Sequence, residues 1–84
     1  MTYCVYVLRS VKDGNLYIGC TNDLPRRLAE HNNGRVRSTK GRRPLTLEFL
    51  EEFQDKYTAF NTEHLYKTPA GKKMLLQKME QFRK

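Results

Sequence analysis

Two short runs near the start of the chain, Tyr3-Cys4-Val5-Tyr6-Val7-Leu8 and Leu16-Tyr17-Ile18-Gly19-Cys20, consist mainly of β-branched and aromatic residues, with Asp13-Gly14 between them. Such runs around an Asp-Gly pair predict a β-hairpin. With residues 11 to 14 as the loop and Ser10 opposite Asn15, Leu8 opposes Tyr17 and Tyr6 opposes Gly19. Both tyrosines then lie on one face as diagonal neighbours. Gly19 leaves room over Tyr6, whereas a slip of one residue would send the two phenols to opposite faces.

Beyond the hairpin the pattern changes from period two to helical spacing. Asn22 or Asp23 is placed to cap a helix with Pro25 in its first turn, and Gly34 supplies a left-handed stop, so the first helix runs from about Leu24 to Asn33. Leu24 and Leu28 mark its buried stripe, and Arg27 and His31 flank one edge of that stripe. Residues 35 to 43 carry Arg35, Arg37, Lys40, Arg42 and Arg43 and read as a flexible basic connection too polar for a core. Residues 45 to 53 alternate as a third strand with a slip near its end. Lys56 to Lys67 reads as a second helix. Thr68-Pro69, an N-cap followed by proline, restarts a third that runs to about Phe82. In that helix Met74, Leu75, Lys78, Met79 and Phe82 recur at core-packing spacing. The order β-β-α-β-α-α describes a three-stranded sheet flanked by helices, an α+β fold.

At 84 residues the chain is one domain, residues 1 to 84, burying roughly 60 to 65% of its unfolded surface. Sixteen Lys and Arg against nine Asp and Glu give a formal charge of +7, which favours an anionic partner, nucleic acid first. No apolar run approaches membrane-spanning length, and Met1-Thr2-Tyr3 enters the first strand without a cleavable leader, so a cytoplasmic protein with no membrane association is expected. Two cysteines provide neither a disulfide framework nor zinc-ligand spacing, and Cys4 and Cys20 fall on opposite hairpin faces. Both are expected to be small buried hydrophobes.

Cys4-Val5-Tyr6, Tyr17-Ile18-Gly19, Arg27, His31 and Glu63 follow in an order and at spacings that resemble the GIY-YIG nuclease family over nearly the whole chain, most closely its small standalone bacterial members. Tyr6 and Tyr17 match the two motif tyrosines. Thr21 to Leu28 resembles the entry to the family's first helix, with Arg27 on its catalytic position. His31 falls where relatives carry His or Tyr, and Ala59-Phe60-Asn61-Thr62-Glu63 resembles the stretch bearing a metal-binding glutamate. Three departures stand out. Cys4-Val5 replaces Gly-Ile, Cys20 stands where the repair branch often has lysine, and Thr68 to Gly71 is less basic than in small relatives.

The resemblance implies a divalent-metal-dependent endonuclease acting on DNA phosphodiesters. Tyr6 would be general base if Arg27 and a bound cation lowered its pKa, Arg27 would clamp phosphate oxygens, and Tyr17 would hydrogen-bond the phosphate or the water. His31 would orient Tyr6 or relay a proton. Glu63 would hold one Mg2+ or Mn2+ with waters and substrate phosphate. Arg35, Arg37, Lys40, Arg42 and Arg43 would follow the DNA backbone. The alternatives are a catalytically idle nucleic-acid-binding module of the same fold, and an interaction domain docking a basic partner on Glu48, Glu51, Glu52 and Asp55. Single-stranded, duplex and branched DNA all remain open, as does a protein partner that supplies specificity.

Overall fold

A computed structural model describes residues 2–83. Strands β1 (Tyr3–Ser10) and β2 (Leu16–Thr21) form the hairpin, followed by α1 (Leu24–Asn32), β3 (Leu45–Phe53), α2 (Lys56–Tyr66) and α3 (Pro69–Arg83). The sheet is antiparallel, with β1 between β2 and β3. Its hairpin register is the expected one, Tyr6 opposite Gly19 and Leu8 opposite Tyr17. No described helix is long and apolar enough to cross a membrane.

Alternation along β1 divides the molecule into two layers. Val5, Val7, Ile18 and Phe49 face Ala59 and Tyr66 of α2 and Leu75 and Met79 of α3. Tyr6, Leu8 and Leu45 face the other way, against Leu24 and Leu28 of α1. The slip in β3 lies in mid-strand rather than near the end. Val7 pairs with Phe49 but Leu8 with Leu47, leaving Glu48 as the extra residue of a bulge. That extra residue keeps Phe49 on the α2/α3 side while Leu47 and Leu45 register with Leu8 and Ser10.

Local chemistry accounts for the helix ends. Asp23 caps α1, accepting from the Arg26 N–H at 3.2 Å, and Gly34 follows at φ 78°. Asp55 caps α2, and Thr68 Oγ1 accepts from the Gly71 N–H at 3.1 Å to start α3. Three expectations change. Met74 is 41% and Phe82 58% exposed, so α3 buries a narrower stripe, although Phe82 still meets Phe49 edge-on with centroids 5.3 Å apart. Cys20 is only half-buried, unlike Cys4; both are free thiols. Residues 35 to 43 are not a flexible connection. Val36 and Thr39 are buried, residues 40 to 42 form a 3-10 turn, and Ser10 Oγ donates to the Arg42 carbonyl at 2.6 Å.

Between the two helical elements of the lower layer, Tyr66 is wholly buried and its hydroxyl donates to Glu51 Oε1 at 2.5 Å. Lys78 Nζ donates to that hydroxyl at 2.9 Å and to Glu51 Oε2 at 3.1 Å. Glu51, part of the acidic stretch considered for docking a partner, therefore has an internal role. The turn into α3 is tight enough that a Cβ on Gly71 would strike the Leu65 carbonyl. Gly71→Ala should therefore destabilise the fold by about 1–3 kcal/mol, against the usual gain of about 1 kcal/mol for alanine over glycine in a helix. Thermal denaturation followed by circular dichroism checks this; a raised midpoint would show that the turn is looser than described.

Candidate active site

Tyr6 projects from the central strand, and the ring crosses over Gly19 of β2, where a Cβ would collide with the phenol. The missing side chain allows a central-strand tyrosine to reach toward the open edge of the sheet. There the phenol meets His31 Nε2 at 2.9 Å, and His31 Nδ1 meets Thr39 Oγ1 at 2.8 Å. Tyr17 completes the cluster, with centroids 6.4 Å from Tyr6 and 5.0 Å from His31.

The sequence placed His31 at the stripe's edge, yet it is the one buried residue of α1, at 0% exposure. Its position explains this. Leu24, Leu28 and His31 stand at i, i+4 and i+7, so His31 continues the buried stripe itself, and Arg27 occupies the border. Burial and the Arg27 charge push the His31 pKa below the ordinary value, favouring neutral imidazole. Thr39 Oγ1 has the Val36 carbonyl as acceptor at 3.5 Å, and the Arg27 guanidinium lies close enough to the Tyr6 phenol for the two to interact electrostatically. Every hydrogen then finds an acceptor when His31 Nδ1–H donates to Thr39 and Nε2 accepts from Tyr6.

Arg27 donates to Glu30 Oε1 at 3.1 Å, which anchors its guanidinium on α1. Desolvation pushes the Tyr6 pKa up to about 12, outweighing the lowering by the neighbouring Arg27 guanidinium. Arg27 by itself therefore does not offset burial, and the phenol is neutral across the physiological range unless a bound cation adds to the lowering.

Glu63 approaches from the opposite layer. Its side chain is 13% exposed and accepts from Lys67 Nζ at 2.9 Å. A cleft of about 390 Å³ at the β2 edge brings Arg26, Arg27 and Glu30 of α1 together with Lys56, Phe60 and Glu63 of α2. Among the described residues no three His, Cys, Asp or Glu side chains form a metal cage. A largely buried carboxylate lining an open cleft, with Glu30 in the same cleft engaged by Arg27, suits Mg2+ or Mn2+, which retain waters and take phosphate oxygens.

Glu30, Arg26, Lys56, Phe60 and Lys67 were missed from the sequence. Spacing held a signal for two of them, since Glu30 and Lys67 lie at i+3 and i+4 from Arg27 and Glu63. The five basic residues of 35 to 43 do not line this cleft. Arg42 is held by Asp13 Oδ2 at 3.0 Å and the Leu16 carbonyl at 3.3 Å. Lys40 and Arg43 border a separate groove with Lys12 and Asn32, while Arg35 and Arg37 are exposed.

Stability should fall at both pH extremes for reasons located here. A folded His31 pKa below about 6.5 makes its contribution complete above that value and lost as acid charges the ring. A Tyr6 pKa raised from 10.0 to about 12 makes its contribution complete below 10.0 and lost as pH climbs toward 12, with Tyr66, also raised, adding to the loss. Denaturant midpoints across pH should show a shallower alkaline decline in Tyr6→Phe; an unchanged decline would contradict a buried neutral phenol.

Comparison with known proteins gives a consistent result. Residues 2–77 match the GIY-YIG catalytic domain. A UPF0213 protein of Bacillus pumilus (strain SAFR-032) is 45% identical over 69 residues, covering 81% of this chain and 69% of the relative. One from Staphylococcus saprophyticus is 39% identical over 72 residues, covering 84% and 87%. The solution NMR structure of a UPF0213 protein from Bacillus halodurans superposes with a TM-score of 0.57 at 34% identity, covering 92% of this chain and 84% of that one.

Proposed function

The chain belongs to the GIY-YIG nuclease family, and from that premise we propose that it is a divalent-metal-dependent endonuclease hydrolysing DNA phosphodiester bonds in the cleft between α1 and α2. One observation carries the reading: Arg27, backed by Tyr6 and His31, shares a cleft with Glu63 from the opposite layer. Hydrolysis requires a proton acceptor for water and positive charge on the phosphoryl group; Arg27 brings the charge to the cleft, and the buried Tyr6–His31 pair adjoining it is the candidate acceptor.

In the resting arrangement the Tyr6 hydroxyl is bonded to His31 Nε2 with the Arg27 charge nearby, and the residue is 1% exposed. A phosphate in the cleft competes for the guanidinium, since a charge-assisted bond to phosphate is stronger than one to a neutral phenol. Movement of Arg27 toward the phosphate opens the phenol oxygen to the attacking water. A phenol with a pKa near 12 does not ionise alone near neutrality. Tyr6 instead passes its proton to neutral His31 Nε2 as it receives one from water, and Thr39 holds the imidazole in the accepting tautomer. Tyr17 orients the water or phosphate beside His31. Glu63 would hold the single Mg2+ or Mn2+, exchanging Lys67 for it. When bound, that ion supplies Lewis-acid stabilisation of phosphoryl charge. Glu30 positions Arg27.

Labelled DNA incubated with purified protein plus Mg2+, Mn2+ or chelator tests the reading. Cleavage should need the ion, and Glu63→Gln should retain DNA binding while losing 100-fold or more in rate, on the order expected when a hard-ion ligand becomes an amide. Wild-type rates in Glu63→Gln would remove Glu63 from the site. DNA binding without cleavage under any ion would favour the idle module.

A further inference from the structure

The cleft is one end of a longer seam between β2 and α2. Beyond Glu63 the same two elements, joined by the start of α3, enclose a second depression, lined by Tyr17, Tyr66, Lys67 and, from α3, Lys72. The Glu63–Lys67 ion pair joins the two depressions, because Glu63 lines the first and Lys67 the second. Cations recur along the seam, from Lys56 and Arg26 at one end to Lys67 and Lys72 at the other.

The outer wall of this seam is aromatic. At about 100° per residue, Ala59 and Tyr66 define the sheet-facing side of α2, Glu63 stands roughly 50° from them, Phe60 about 60° further, and Tyr57 and His64 beyond it. Phe60 stacks edge-on with His64, centroids 4.6 Å apart, yet is 51% exposed, and Tyr57 is 78% exposed. An exposed aromatic pair bordering a row of cations, with Phe60 itself lining the cleft, matches a surface that binds nucleobase faces and phosphates together.

We propose that the seam is a track for a single, unpaired DNA strand, with Lys56 and Lys72 contacting phosphates on either side of the cleft and a base near the scissile phosphate stacked on Phe60. A duplex fits poorly, since its base faces are covered by their neighbours and only sugar and phosphate would meet Phe60 and Tyr57. The track rests on the nuclease reading only for the location of the scissile phosphate. It differs from the basic groove of Lys12, Lys40 and Arg43, which has no aromatic wall.

Fluorescence anisotropy in chelator, with a labelled oligothymidylate and a blunt hairpin duplex, tests the track without requiring catalysis. The single strand should bind more tightly than the duplex at equal salt. Phe60→Ala should weaken single-strand binding roughly 5- to 100-fold and leave duplex binding unchanged, as for loss of one base–aromatic stack. Lys72→Ala should flatten the single-strand salt dependence by about 0.7 per phosphate released. Both side chains are exposed, and circular dichroism verifies folding. Equal affinity for the two probes, or a Phe60→Ala variant that binds single strands normally, overturns the track. Cleavage with Mn2+ is scored separately: Phe60-dependent binding without cleavage keeps the track and removes the nuclease reading, whereas duplex-only cleavage indifferent to Phe60 does the reverse.

Discussion

The hydrogen bond between Tyr6 and His31, 2.9 Å long and shielded from solvent, is the interaction on which the rest of the arrangement depends. It joins the central strand to α1, and each partner requires further support. Tyr6 can reach His31 only because Gly19 has no side chain beneath the ring. His31 can accept from a phenol only if its other nitrogen is occupied, which requires Thr39, and Thr39 is in place because residues 35 to 43 are folded down on Val36 and tied to Ser10. A segment that looks like a solvated linker thus serves as the back wall of the site.

Placement of the cleft follows from the topology. An edge strand has one free side, and β2 leaves its side open between a helix above the sheet and a helix below. Arg27 arrives from the upper layer and Glu63 from the lower, so a positive and a negative group face one space without pairing to each other. Each is held instead by a neighbour on its own helix, Glu30 for Arg27 and Lys67 for Glu63. Both pairs are partly exposed and of modest strength, so neither locks its residue in place.

Much of this was legible from residues alone. Strand composition and the Asp-Gly turn set the hairpin register, and register put the two tyrosines on one face. Capping residues placed α1 and α3. The misjudged parts depend on tertiary contacts that local pattern does not encode. Burial of His31 needed the sheet to close over α1, although its i+7 relation to Leu24 was visible. Arg42 looked like a free phosphate contact because Asp13, its partner, lies 29 residues away. Met74 and Phe82 carry the right period for a core, but a three-stranded sheet is too narrow to cover a helix face of that width. The Tyr6 pKa depended on the competition between burial and Arg27, and only the packed structure determines which is larger.

The proposed relay from water through Tyr6 to His31 makes the shape of the pH–rate profile the most direct test. Single-turnover cleavage at saturating protein, measured from about pH 5 to about pH 10 in one divalent ion, reports which group must be deprotonated for reaction. The account predicts a rate that rises through an ionisation below the ordinary histidine value, as His31 becomes neutral, and is level above it. A rate that keeps climbing roughly tenfold per pH unit through the alkaline range would mean that the phenol must ionise on its own, and would contradict the relay.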